Sequence, residues 1–351
     1  MKRKSGILSL VILVSINTVI SRAQQKSNSS SELTTKQAGP GSAVVQGPDQ
    51  ENLGSFSIKN TRLLQIESMV GEKDDYPDFT RELIEVRWRA GDPIDLYVIK
   101  PRGVPKPPVV LYLYSYPSDT DRFRDNDYCR RITFKGYAAV GFVSALTGHR
   151  YHDRPMREWF VSQLPEALTK SVHDVQMVLR YLSERGDLDM DLVGIFGQGS
   201  GATIAILAAT VTPQIRAVDA LQPWGDWPTW LAHSSLIPES ERPAYLKPEF
   251  LASVAPLDPV RRFGEVQTKD LHVQFVLDDT VTPADAVQHM KAAVPSSAKV
   301  AVYESKHQQH DALAGGRAFE WIKQQLRGSL AQPENAQGSG NLHRAQNERA
   351  Q

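Results

Sequence analysis

Leu192-Val193-Gly194-Ile195-Phe196-Gly197-Gln198-Gly199-Ser200-Gly201-Ala202-Thr203 is the stretch that decides how this chain folds. Leu192 to Phe196 is a short apolar run of the kind buried on both faces of a parallel sheet. Gly201 to Thr210 continues as a small-residue helix. Between them the chain turns through glycines at alternate positions. A strand that feeds a helix through so short a corner needs minimal side chains two residues before and two after the apex, because backbone crowds backbone there. Glycines that merely pack a strand against a helix give the same pattern. A phosphate loop does not, since no G-x-G-x-x-G or G-K-[ST] follows.

The flanking sequence alternates between two periodicities. Leu83 to Trp88 alternates, turns at Ala90-Gly91-Asp92-Pro93, and alternates again through Ile94, Leu96 and Val98, which predicts an antiparallel hairpin. Val109 to Tyr114, Tyr137 to Val143 and Leu271 to Leu277 are continuous apolar runs, read as buried strands, and Val300 to Tyr303 is the last strand. Leu168, Val172, Val175, Leu179 and Leu182 recur at three- and four-residue steps, the stripe of a helix lying on a sheet. Ala314 to Leu326 is expected to be a further helix. A hairpin followed by strands alternating with helices predicts an α/β fold: a mostly parallel, twisted sheet with helices on both faces.

With these elements in place, the region from about Arg81 to Leu326 resembles the α/β-hydrolase fold, of the secreted esterase, dienelactone-hydrolase or prolyl-oligopeptidase-like kind. The family pattern G-x-S-x-G laid on the corner puts Gly197 and Gly201 on the flanking glycines and Gly199 on the nucleophile. A glycine has no atom with which to attack a carbonyl. Moving the register by one places Ser200 at the apex, but then Gln198 occupies a crowded flank, which opposes the turn. In the first register Ser200 follows the apex, where the resemblance implies a backbone N–H donor to an oxyanion. The resemblance further implies an acid after the strand that ends near Leu277. Asp279 is the match, two residues before Val281 and four before Pro283, with Asp278 as the alternative; both also suit a capping role for the helix near Pro283. It implies a base after the last strand: His307, with His310 as the alternative. Nucleophile, acid, base is the order of this family along the chain.

The same resemblance places an oxyanion loop at Ser115-Tyr116-Pro117, and a lid insertion of about residues 222–263 over the site. Trp224, Trp227 and Trp230 lie within that insertion, and Trp224 and Trp227 are expected to line an apolar substrate wall. Asp219 and Asp226 are weaker candidates for the acid. His149, His152 and Asp153 form an H-x-x-H-D cluster that reads as a polar loop. His307 and His310 have no third ligand in the sequence, so no metal and no cofactor are expected.

Composition bounds the rest. Forty basic against forty acidic side chains, with no Lys/Arg block, provides no electrostatic footprint for nucleic acid. A single cysteine, Cys129, cannot form an internal disulfide. Lys2, Arg3 and Lys4, the mostly apolar stretch Ile7 to Ile20 and Ser21-Arg22-Ala23 read as a secretory signal over residues 1–23, with cleavage after Ala23 and no stable membrane span afterwards, or as an uncleaved N-terminal anchor; either reading implies export to the periplasm or beyond. Residues 24–54 and 329–351, rich in Ser, Gln, Gly, Asn and Ala, read as a disordered linker and tail around a domain at 55–328. Three functions follow for a small ester or peptide-like ligand: a hydrolase-fold protein impaired at Gly199, an active serine hydrolase built from Ser200, His307 and Asp279, or slow hydrolysis in which His307 activates a water.

Overall fold

The computed structural model describes residues 51–59, 61, 63, 67–89, 92–116, 120–146, 161–268 and 270–328, all within the unit Gly47–Gln351. Nine strands form one sheet in the order β1-β2-β3-β5-β4-β6-β7-β8-β9. They are β1 Glu67–Asp75, β2 Phe79–Arg87, β3 Ile94–Pro101, β4 Pro108–Leu113, β5 Ala138–Phe142, β6 Asp189–Gln198, β7 Ile215–Leu221, β8 Asp270–Val276 and β9 Lys299–Tyr303. The first three run antiparallel, β3 meets β5 antiparallel, and every pairing from β5 to β9 is parallel.

The β2–β3 hairpin appears as the alternation predicts. The edge strand β1 lies outside the strands that the sequence pattern predicts. Its sequence, ESMVGEKDD, is mostly charged and leaves Met69 and Val70 exposed, so no apolar face announces it. Charge and a register shift at Gly71 suit an edge that must not recruit another strand.

Both faces of the central strands are covered, which is why they read as continuous apolar runs. Along β4, Val109, Leu111 and Leu113 face one core, while Val110, Tyr112 and Tyr114, the last just past the strand, face another. The first core holds α2 (Leu164–Arg185), whose stripe Leu168, Val172, Val175, Leu179 and Leu182 is buried throughout, and α3 (Ser200–Ala209), buried on all sides. The second holds α1 (Asn126–Thr133) and α8 (Glu320–Gly328), whose Ile322 and Leu326 lie against β6 at Gly194. Between these lie α4 (Trp227–His233), α5 (Pro248–Val254), α6 (Ala284–Ala293) and α7 (Lys306–Leu313).

One expectation is corrected. The helix expected over Ala314 to Leu326 is broken: Gly315 and Gly316 adopt φ of +66° and +87°, so a kinked 3-10 segment precedes α8. Residue 51, within the range expected as a linker, is ion-paired. Glu51 binds the Arg89 guanidinium through both oxygens at 2.5 Å and His173 Nδ1 at 2.5 Å, and Arg89 in turn meets buried Asp174. Apolar content alone does not register a segment held by ion pairs. The regions expected as signal, tail and H-x-x-H-D loop lie outside the described residues.

Candidate functional site

β6 ends at Gln198 and α3 begins at Ser200, so Gly199 alone makes the corner. Its φ of +56° and ψ of −122° lie where side chains are strained by about 1–3 kcal/mol. The flanks are crowded as the tight turn requires. A Cβ on Gly197 would stand 2.6 Å from Ala202 Cα, and one on Gly201 would run into the Leu113 carbonyl. At the apex itself, a Cβ on Gly199 would lie 2.7 Å from Ser115 Cβ, with the Ser115 hydroxyl nearer still, and 3.3 Å from the Trp224 indole nitrogen. Ser115 therefore fills the space in front of the bare α-carbon.

Ser200 points away from this space. It is wholly buried, and its Oγ accepts the Tyr116 backbone N–H at 3.0 Å. Of the oxyanion-loop pair, Ser115 lines the pocket, while the Tyr116 N–H is committed to Ser200.

Asp279 reaches the pocket, 8% exposed, with its oxygens already surrounded by donors. Oδ2 accepts from Gln222 Nε2 at 3.2 Å and from the Thr282 N–H, Oδ1 accepts from the Val281 N–H, and Lys306 Nζ stands 3.0 Å from Oδ1. No imidazole pairs with it among the described residues. Asp278 accepts the Lys306 backbone N–H at 2.9 Å and so fixes the entry to α7.

The expected base is displaced by helical geometry. Ser305 caps α7 by accepting the Gln308 N–H, so residues 306–313 turn at 3.6 per revolution. Lys306, Gln309, His310 and Leu313 share the face that lines the pocket. His307 falls on the solvent side, 86% exposed, with Nε2 3.4 Å from Asp311 Oδ2. Of the two histidines considered, the structure brings His310 to the pocket and leaves His307 outside.

These groups surround a cavity of about 530 Å³ at the C-terminal ends of β4, β6, β7 and β8. Phe196, Leu221, Trp224, Val281 and Phe319 supply its apolar wall. Trp224 lines this wall, whereas Trp227 does not. It is fully buried, edge-on to Trp230 with ring centroids 5.6 Å apart, and Trp230 stacks on Trp224 at 5.0 Å. The tryptophans of the insertion thus brace the wall from behind. Asp226 and Asp219 are also elsewhere. Asp226 pairs with His289 at 2.5 Å, and wholly buried Asp219 sits on β7 beside Gln274 and His272.

Residues that sequence reading did not single out complete the lining: Arg122, Gln198, Gln222, Lys306 and Gln309. Arg122 Cζ lies 4.6 Å above the Tyr114 ring. Burial pushes the Tyr114 phenol well above its usual range, with the guanidinium opposing, so it stays neutral. In the sequence, Lys306 and Gln309 are foreshadowed only by sharing one face of α7 with His310, and Arg122 leaves no local signal.

Among solved structures, the chain is similar to acetyl xylan esterase 1 from a Thermoanaerobacterium species, at 16% identity and TM-score 0.58 over 74% of this chain and 88% of that one. It is also similar to an acetyl xylan esterase from a Paenibacillus species, at 13% identity and TM-score 0.57 over 78% and 92%. An acylaminoacyl peptidase in complex with Z-Gly-Gly-Phe-chloromethyl ketone matches at 14% identity and TM-score 0.51, over 72% of this chain and 48% of the peptidase. At these identities the likeness is one of fold, the α/β-hydrolase fold. No curated protein sequence matches the chain. The profile of the prolyl oligopeptidase family matches residues 137–327, more than half of the chain and all of the parallel sheet beyond β4, and to that family the chain belongs.

Proposed function

We propose that this chain is an exported hydrolase-fold protein that binds a small ester-, acid- or peptide-derived ligand without covalent catalysis from its elbow. One observation carries the reading: the apex of the corner is the bare α-carbon of Gly199, and Ser115 occupies the volume in which a nucleophilic side chain would stand. Two others support it. The Ser200 hydroxyl is buried and bonded to Tyr116, and Lys306 rather than an imidazole sits against Asp279. With no attacking atom at the apex and no acid-oriented base, the acyl-enzyme route has neither of its starting groups. What survives is the pocket, a shaped cavity with an apolar wall and a few convergent polar groups.

A second reading rests on the same Ser115. Its Oγ lies close to where an elbow side chain would begin and lines the pocket that holds His310, so acyl transfer from Ser115 is the competing chemistry. Treating the mature protein with a fluorophosphonate separates the two. The binding reading expects no labelled serine by mass spectrometry and no turnover of aryl esters. Labelling lost in Ser115→Ala supports the second reading, and labelling lost in Ser200→Ala overturns both.

A further inference from the structure

We infer that the ligand of this pocket carries a carboxylate, so that the free acid is preferred over its ester or amide. The inference rests on the binding reading above. Asp279 is the acid among the lining residues, and its oxygens already receive Gln222, two backbone N–H groups and Lys306. A ligand gains little by donating to it. Among the groups left over, the charged ones and the buried unsatisfied one are donors. Arg122 has no carboxylate partner among the described residues and lies against Tyr114, over its ring and in hydrogen-bonding contact with its phenol. Gln309 Nε2 is buried without an acceptor, the Ser115 hydroxyl is unpaired among the described residues, and Lys306 bonds Asp279 with one of its three hydrogens.

Charge points the same way. Lys306 and Asp279 offset each other, so Arg122 leaves the lining with a surplus positive charge even when His310 is neutral. A guanidinium stacked on a ring presents a planar fork that matches a carboxylate with two parallel bonds. Opposite it, Phe196, Leu221, Trp224, Val281 and Phe319 ask for an apolar body. The combination describes an aryl or acyl group ending in a carboxylate. A free alkanoic acid and the C-terminus of a short peptide both offer this chemistry.

The test uses two matched pairs: 4-phenylbutyrate with its amide, and N-acetyl-phenylalanine with its amide. Binding to the mature protein is followed by calorimetry and by Trp fluorescence. The acid of at least one pair is expected to bind on the order of tenfold tighter than its amide, with the favoured pair telling free acid from peptide terminus. Arg122→Gln is expected to erase the preference while amide binding persists, Arg122→Lys to retain part of it, and raising salt from about 20 to 500 mM to shrink it. Equal or tighter binding of both amides, absence of binding by all four probes, or a preference that survives Arg122→Gln would overturn the inference. Fluorophosphonate labelling instead marks failure of the underlying binding reading, whichever acid is preferred.

Discussion

Ser115 and Gly199 share one place in the molecule: the side chain of the first, at the end of β4, fills the volume that a side chain on the second would need, with only 2.7 Å between Ser115 Cβ and a Cβ built at 199. The corner and the loop are complementary, and a side chain at 199 needs room that Ser115 now fills.

Gly199→Ser alone is therefore expected to destabilise the fold by about 2–5 kcal/mol, from the strained φ and ψ together with overpacking against Ser115. Pairing it with Ser115→Gly removes the overlap and recovers about half of the loss. Urea midpoints for the two single variants and the double variant measure the coupling. Strict additivity would show that the two side chains do not compete.

Ser200→Ala is predicted to be a stability variant. It leaves the Tyr116 N–H without its acceptor inside the protein, at a cost of about 1–3 kcal/mol. Ligand affinity should stay within about twofold of the parent, since Ser200 is not on the pocket wall. A large loss of affinity at unchanged stability would contradict this placement.

The two histidines of α7 should separate cleanly. His307→Ala, on the solvent face, is expected to change stability by no more than about 0.5 kcal/mol and binding not at all. His310→Ala alters the pocket wall and should change affinity, read by the same Trp fluorescence titration. The reverse outcome would place the pocket on the other face of the helix.

Acid should loosen the N-terminal segment. Burial alone pushes the Glu51 carboxyl up, but its bonds to Arg89 and His173 outweigh this and hold it at about 2, against an ordinary 4.5. A carboxylate depressed in the folded state contributes stability that is complete above its unfolded value and is lost as pH falls from about 5 towards 2. The contribution is at most about 3 kcal/mol, reduced by partial solvent screening. Urea unfolding at pH 7 and pH 3 should show a smaller fall for Glu51→Gln than for the parent. Equal falls would mean that the Glu51–Arg89–His173 cluster is not what acid releases.

Gly201→Ala is expected to abolish folding or leave a severely destabilised chain, because the new methyl meets the Leu113 backbone carbonyl, which the parallel pairing of β4 with β6 holds in place. Circular dichroism and solubility on expression report it. A well-folded Gly201→Ala protein would show that the corner has room to spare.

The amino-acid order by itself determined the hairpin, the buried parallel strands, the long helix of Leu168 to Leu182 and the glycine corner, because periodicity and side-chain volume are local quantities that a linear reading measures directly. The family resemblance and the tryptophan-rich insertion singled out Asp279 and Trp224, which both line the cavity. Only the tertiary structure decided that Ser115 stands in front of Gly199, that Lys306 occupies Asp279, that α7 turns His310 inward and His307 outward, and that Arg122 faces the same cavity. The strand β1 and the clasp of Glu51 were hidden for a related reason: both are held by backbone pairing or charge, which leave no apolar signature. Which side chains converge depends on helix phase and loop packing, set by contacts between residues far apart in the chain, and no local pattern encodes them.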